Sequence, residues 1–222
     1  DPDSGVHTFC HAVPGRWHQM SVILSAASCL EWASRGCGHG YAGALLAEVA
    51  ADDRPCESEV FLPYLSGERT PHNDPTLRAG FLGLNNDTTP GHLAQAVLEG
   101  AAFALADGLT VLREAGTCIT ELTVIGGGAR SRYWGETIAA TLNTELVYRS
   151  GSEVGPARGA ALLAQLAVTG RDPASVCAPP PITHRIGPNS EVAERLAPKL
   201  AAFRRACPAI SSRISNNSAT GV

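Results

Sequence analysis

Three consecutive glycines, Gly126-Gly127-Gly128, follow the apolar run Leu122–Ile125 and lead into Ala129-Arg130-Ser131-Arg132-Tyr133-Trp134. Lacking Cβ atoms, they can take positive φ and let a flat or anionic ligand approach the backbone closely. The free N–H groups of a helix beginning near Ser131 would face the same space. The block matches neither of two familiar nucleotide motifs. Ser131 stands where the dinucleotide fingerprint needs its third glycine, and the only lysine of the chain is Lys199, far from any Walker-type phosphate loop. The residues alone leave two readings open, a nucleotide contact and a plain strand-to-helix turn.

A second polar cluster, Glu68, Arg69, His72, Asn73 and Asp74, lies in the proline-bounded loop Ser66–Pro75 and brings carboxylate, imidazole and guanidinium together. An Asx-type turn with an Arg–carboxylate pair accounts for that composition, so the loop is expected to be structural rather than catalytic. His7, His11, His18 and His92 have no partner at metal-ligand spacing and read as packed or surface histidines. Glu99 and Asp107 are expected on the solvated face of a long helix. No metal ligand is expected among these residues.

The elements that must position the glycines are legible in outline. Val6–Val13 alternates and enters a turn at Pro14-Gly15, and Met20–Ala33 has helical spacing through Val22, Ile23, Ala26, Ala27, Leu30 and Trp32. Val60–Leu65 and Ala79–Leu84 read as strands. Thr89-Pro90 supplies an N-cap and a first-turn proline for a helix over Gly91–Ala115, whose face of small residues should lie close to a neighbour. Strand Glu121–Ile125, helix Tyr133–Leu142, strand Glu145–Arg149 and a helix from Pro156 to about Gly170 follow. A proline-rich joint at Ala178–Pro181 leads to a last helix, Glu191–Ala206, with a frayed polar tail beyond Ser211. Strands first and then alternating helix and strand predict a mixed α/β sheet covered by helices.

Composition narrows the class. With 222 residues, 44% of them hydrophobic and 17% charged, the chain can bury a core. A formal charge of -4 gives no electrostatic reason to expect nucleic acid, and no signal peptide or membrane-spanning run is apparent. Seven cysteines form no C-x-x-C pair, which suits reduced thiols in a cytoplasmic protein.

Several blocks taken together resemble one family, the FGGY carbohydrate kinases, and within it the bacterial xylulokinases. Ala79-Gly-Phe-Leu-Gly-Leu84, a seven-residue gap and His92-Leu-Ala-Gln-Ala-Val-Leu-Glu99 resemble the family's C-terminal signature. Val6–Ala12 with Pro14–His18, Phe61–Asn73, Gly126–Ser131 and Val154–Ala161 resemble xylulokinases in particular.

The resemblance implies an α/β domain of the actin-like, ribonuclease-H-like ATPase fold, the second of two such domains, over residues 1–208, with 209–222 as a polar tail. It implies ATP and Mg²⁺ as cofactors and a sugar, D-xylulose, bound in a cleft against the N-terminal domain. That domain would supply the general base, and a phosphate loop would lie just upstream of Val6, so this chain is expected to be a fragment without kinase activity of its own. The glycine block would contact adenosine through Gly126, Gly127, Gly128, Ala129, Ser131 and Arg132, with Arg132 along the base and Arg130 solvated. The helix carrying Ala27, Ser28 and Glu31 would approach the same nucleotide. Another sugar or polyol kinase of the family and a non-catalytic nucleotide-binding module are the alternatives. An exposed half-cleft would favour self-association as a homodimer; neither nucleic acid nor membrane is expected as a partner.

Overall fold

The computed structural model describes residues 5–51 and 56–218. Its centre is α3, Pro90–Glu114, which packs against α1 (Ala27–Gly36), α2 (Ala42–Ala51), α4 (Arg132–Leu142), α7 (Ser190–Ser218) and the strand β3 (Val60–Leu62). The expected cap is present: Thr89 Oγ1 accepts from the His92 N–H at 3.1 Å, and the His92 side chain reciprocates toward the Thr89 N–H. Such a box satisfies two orphan donors at once, and Pro90 begins the first turn.

The small face of α3 does what its composition predicts. A Cβ on Gly100 would lie 2.2 Å from the Phe61 carbonyl oxygen, so only glycine lets β3 cross the helix this closely. By length and composition α3 could cross a membrane, yet 78% of that stretch is buried among its neighbours, which makes it the core helix of this fold.

Around α3 the strands form three small sheets. β1 (His7–Cys10) pairs antiparallel with β2 (Trp17–Met20), and β3 pairs antiparallel with β4 (Gly80–Leu82). β5 (Leu122–Thr123) runs parallel to β6 (Leu146–Arg149), which pairs antiparallel with β7 (Ile182–Ile186), giving the mixed sheet. Between β6 and β7 lie α5 (Gly155–Thr169) and the short α6 (Pro173–Val176).

Four expectations need correction. Met20–Ala33 is not one helix: Met20 ends β2, and α1 begins only at Ala27. The intervening segment is held by the 68–70 loop. Val22 N–H donates to Thr70 Oγ1 at 2.9 Å, Thr70 N–H to the Val22 carbonyl at 3.0 Å, and Leu24 N–H to Glu68 Oε1 at 2.9 Å. Long-range hydrogen bonds override the local 3.6-residue spacing there.

Glu99 is not on a solvated face. It is 1% exposed, forms an ion pair with Lys199 of α7, and accepts from Gln95 Nε2 at 2.8 Å, because α7 covers that side of α3. Asp107 is paired as well, accepting from Arg204 Nε at 2.7 Å. In the third case, β2, α2, α6 and β7 have no counterpart among the expected elements, although Leu45 and Val49 of α2 enter the core. Finally, α7 continues past Ala206 to Ser218, so most of the polar tail is helical backbone; residues 219–222 lie outside the described residues.

The 66–75 loop contains the Asx turn that its composition suggested. Asp74 Oδ1 accepts from Thr76 N–H at 2.7 Å, an Asx turn, and Glu68 and Asp74 form a backbone bridge. Glu68 Oε1 accepts from the N–H groups of Leu24 and Arg69.

Two expected outcomes follow. Lys199→Met should cost about 3–5 kcal/mol in urea unfolding, since it strands a buried carboxylate, whereas Glu99→Leu/Lys199→Met should recover a large part of the loss. Equal stabilities for the single and double variants would contradict a coupled buried pair.

Burial raises the Glu68 carboxyl above its ordinary value, with the two backbone hydrogen bonds opposing. The native state therefore holds this proton more tightly than the unfolded chain. Its stabilising contribution is complete below the unfolded value and is lost as pH rises through the folded one. Measured against wild type, the melting temperature of Glu68→Gln should improve as pH rises from the ordinary carboxylate range upward. A pH-independent difference would contradict this.

Candidate functional site

The glycine block folds into a turn. Gly126 has φ 90°, in the region that favours glycine, and residues Gly127–Arg130 form one turn of 3₁₀ helix before α4 begins. Ser131 caps α4, its Oγ accepting from the Trp134 N–H at 3.2 Å. Trp134 is 8% exposed, and its indole Nε1 donates to the Leu98 carbonyl of α3 at 3.2 Å. That bond fixes the indole as a wall. A Cβ on Gly128 would stand 2.2 Å from this ring, so Gly128 is required by the tryptophan beneath it. A Cβ on Gly127, by contrast, would meet no protein atom within 4 Å.

Under this turn lies a cavity of about 470 Å³, a size typical of small-molecule sites. Its floor is apolar, from Leu30 of α1, Leu46 of α2, Val97, Leu98 and Ala101 of α3, and Trp134. Polar groups stand around it: Ser28, Glu31, Arg130 and Ser131. The start of α1 also lines it, and the N-cap Ala26 offers no side-chain cap to the first-turn N–H groups. A second, more apolar cavity of about 510 Å³ shares Ala26, Ala27, Gly127, Gly128 and Trp134, and runs along Leu105, Leu109 and Leu112 of α3 beside β5.

Of the residues singled out from the sequence, Gly127, Gly128, Ser131, Ala27 and Glu31 line the first cavity and Gly126 the second. Ala129 packs against the core. The two arginines exchange places relative to expectation. Arg132, the first residue of α4, pairs with Glu136 one turn on at 2.8 Å, and its side chain is 77% exposed. Arg130, on the 3₁₀ turn, lines the cavity. The inserted turn rotates the chain between the glycines and the helix, which spacing alone does not reveal. Trp134 and the α2 contribution were also missed; only the tryptophan had a signal, its fixed distance from the glycines.

Residues 1–168 match the model of the FGGY family of carbohydrate kinases, C-terminal domain. The chain is 53% identical over 166 residues to the xylulose kinase of Escherichia coli K12, covering 75% of this chain and 34% of the relative. It is 45% identical over 205 residues to the xylulose kinase of Klebsiella pneumoniae, covering 92% and 42%. The chain thus spans well under half the length of these curated relatives. Among solved structures, the xyloylose kinase of Brucella ovis superposes with a TM-score of 0.84 at 43% identity, over 96% of this chain and 44% of that one. The xylulose kinase of Rhodospirillum rubrum does so with a TM-score of 0.79 at 26% identity, over 97% and 44%. These neighbours have the actin-like, ribonuclease-H-like fold, which is therefore the fold of this domain. A buried central helix, a glycine turn held on a tryptophan and these matches lead to one conclusion: the chain belongs to the FGGY family of carbohydrate kinases, as a C-terminal domain.

Proposed function

We propose that this domain, residues 1–208 with 209–222 as its tail, holds the nucleotide in a cytoplasmic xylulokinase that passes the γ-phosphoryl group of ATP to D-xylulose. The observation that carries the reading is the cavity under the glycine turn, in a domain whose relatives at 53% and 45% identity are xylulose kinases.

The residues fit the group. An apolar slot between Leu30, Val97, Ala101 and the Trp134 ring takes a planar base, and the backbone of Gly127 can lie against it without a Cβ. Ser28, Glu31, Arg130 and Ser131 provide the polar contacts that orient the nucleoside. Gly126, Gly128 and Ala129 give the turn its shape, and Arg132 acts by bracing α4 through Glu136.

Phosphoryl transfer asks little covalent chemistry of a protein and depends on in-line placement and neutralised charge. Mg²⁺ supplies part of that neutralisation. Among the described residues Glu31 is the only carboxylate lining the cavity, so the metal would be held by the nucleotide phosphates and by carboxylates from elsewhere in the enzyme. The sugar site and general base belong to the same remainder. The task of this chain is to fix adenosine so that the phosphates reach across the cleft.

The glycine turn offers a test in the complete enzyme. Gly127→Val places a side chain into open cavity and should raise the KM for ATP about tenfold or more, a loss on the order of 1.4 kcal/mol, with an unchanged melting temperature and sugar KM. Gly128→Val should lower the melting temperature as well, because it displaces Trp134. An unaltered ATP KM in a well-folded Gly127→Val enzyme would remove the adenosine assignment.

The arginines give an independent comparison. Arg130→Ala should raise the ATP KM several-fold and Arg132→Ala should leave it close to wild type; the reverse order in steady-state kinetics would restore Arg132 as the contact.

A further inference from the structure

The sole lysine of the chain is one of its most deeply buried polar groups. Lys199 is 4% exposed, and its Nζ donates to the Cys56 carbonyl at 3.0 Å, lies 3.1 Å from Cys56 Sγ and pairs with the Glu99 carboxylate. Cys56 is fully buried, and Glu59 Oε2 stands 3.6 Å from its sulfur. The nucleotide cavity uses none of these groups. Lys199 lies in α7, whereas Cys56 precedes β3, so the sulfur–nitrogen contact joins two segments 143 positions apart.

We propose that Cys56 and Lys199 form an oxidative sulfur–nitrogen cross-link when the protein meets hydrogen peroxide, fastening α7 to the segment that enters β3. In the first step the thiol sulfur takes an oxygen from peroxide, giving the sulfenic acid and one water. Lys199 then passes a proton to Glu99, and its free amine attacks the sulfur; the S–O bond breaks, the S–N bond forms, and the hydroxyl leaves as a second water with the remaining proton of the nitrogen. In sum, one thiol, one ammonium and one hydrogen peroxide give one sulfenamide, two waters and one proton, which rests on Glu99. Sulfur is oxidised by two electrons and peroxide is reduced by two.

The surroundings favour this product over the others on the oxidation ladder. A sulfenic acid is captured by whichever nucleophile is nearest, and here the amine is already within van der Waals reach of the sulfur. Burial excludes the water that would hydrolyse the S–N bond and limits the further peroxide needed for sulfinic acid. Burial also pushes the Cys56 thiol up to about 11 despite the opposing pull of Lys199, so its oxidation should be slower than that of the exposed Cys10, Cys118 and Cys177.

The experiment is peptide mapping of the full chain after graded hydrogen peroxide. A modified Lys199 resists trypsin, so residues 196–204 should remain uncut and appear joined to residues 36–69, two hydrogens lighter than the sum of the two peptides, with fragmentation placing the link at Cys56 rather than Cys37. Dithiothreitol should release both peptides unmodified. Lys199→Arg, which keeps a cation beside Glu99, should lose the joined species. Recovery of 196–204 only in its cleaved, unlinked form while Cys56 stays reduced or becomes sulfinic acid in the wild-type protein would overturn the proposal. Because the readout is a bond and not an activity, this outcome is independent of the nucleotide assignment.

Discussion

The close approach of β3 to α3 at Gly100 is the constraint from which the arrangement of this domain follows. A 25-residue helix that is apolar or small around most of its circumference can be stable in water only if it is covered on nearly every side. β3 covers one side through Phe61, 0% exposed, whose carbonyl sits where any Cβ on Gly100 would be. α1, α2, α4 and α7 complete the cover. Because the helix is sheathed in this way, even its carboxylate at Glu99 must be satisfied internally, and the single lysine is spent on it.

The cavity is a consequence of that sheath. α1 and α4 both pack on α3, and the ring of Trp134, hydrogen-bonded to the Leu98 carbonyl, lines the space left between them. What is left is a slot with an apolar floor and a polar rim. The glycine turn closes it from above, with Gly128 resting upon the indole. A site built on packed helices in this manner needs little adjustment to hold a rigid planar group.

The 68–70 loop has the complementary role. Its hydrogen bonds to Val22 and Leu24 keep the chain out of helix until Ala27, and so place Ala27 and Glu31 at the cavity. Glu68 and Thr70 clamp the chain ahead of α1, and the raised Glu68 carboxyl reflects the burial this clamp demands.

The sequence by itself determined the elements that rest on local chemistry. The Thr89-Pro90 start of α3, its small face, the glycine turn after β5 and the Asx turn at Asp74 were all readable, because capping, glycine freedom and side-chain to backbone bonding act within a few residues. The family, too, was legible in the blocks around these positions. Tertiary structure decided whatever depends on partners distant in the chain. The burial of Glu99 needed α7 to be placed across α3, one hundred positions later. The non-helical path of Val22–Leu24 needed the 68–70 loop, and the exchange of Arg132 for Arg130 at the cavity needed the 3₁₀ turn that forms between the glycines and α4. Periodicity reports which face of an element is apolar, but not which neighbour will cover a polar residue on the other face; that is set only when the elements pack.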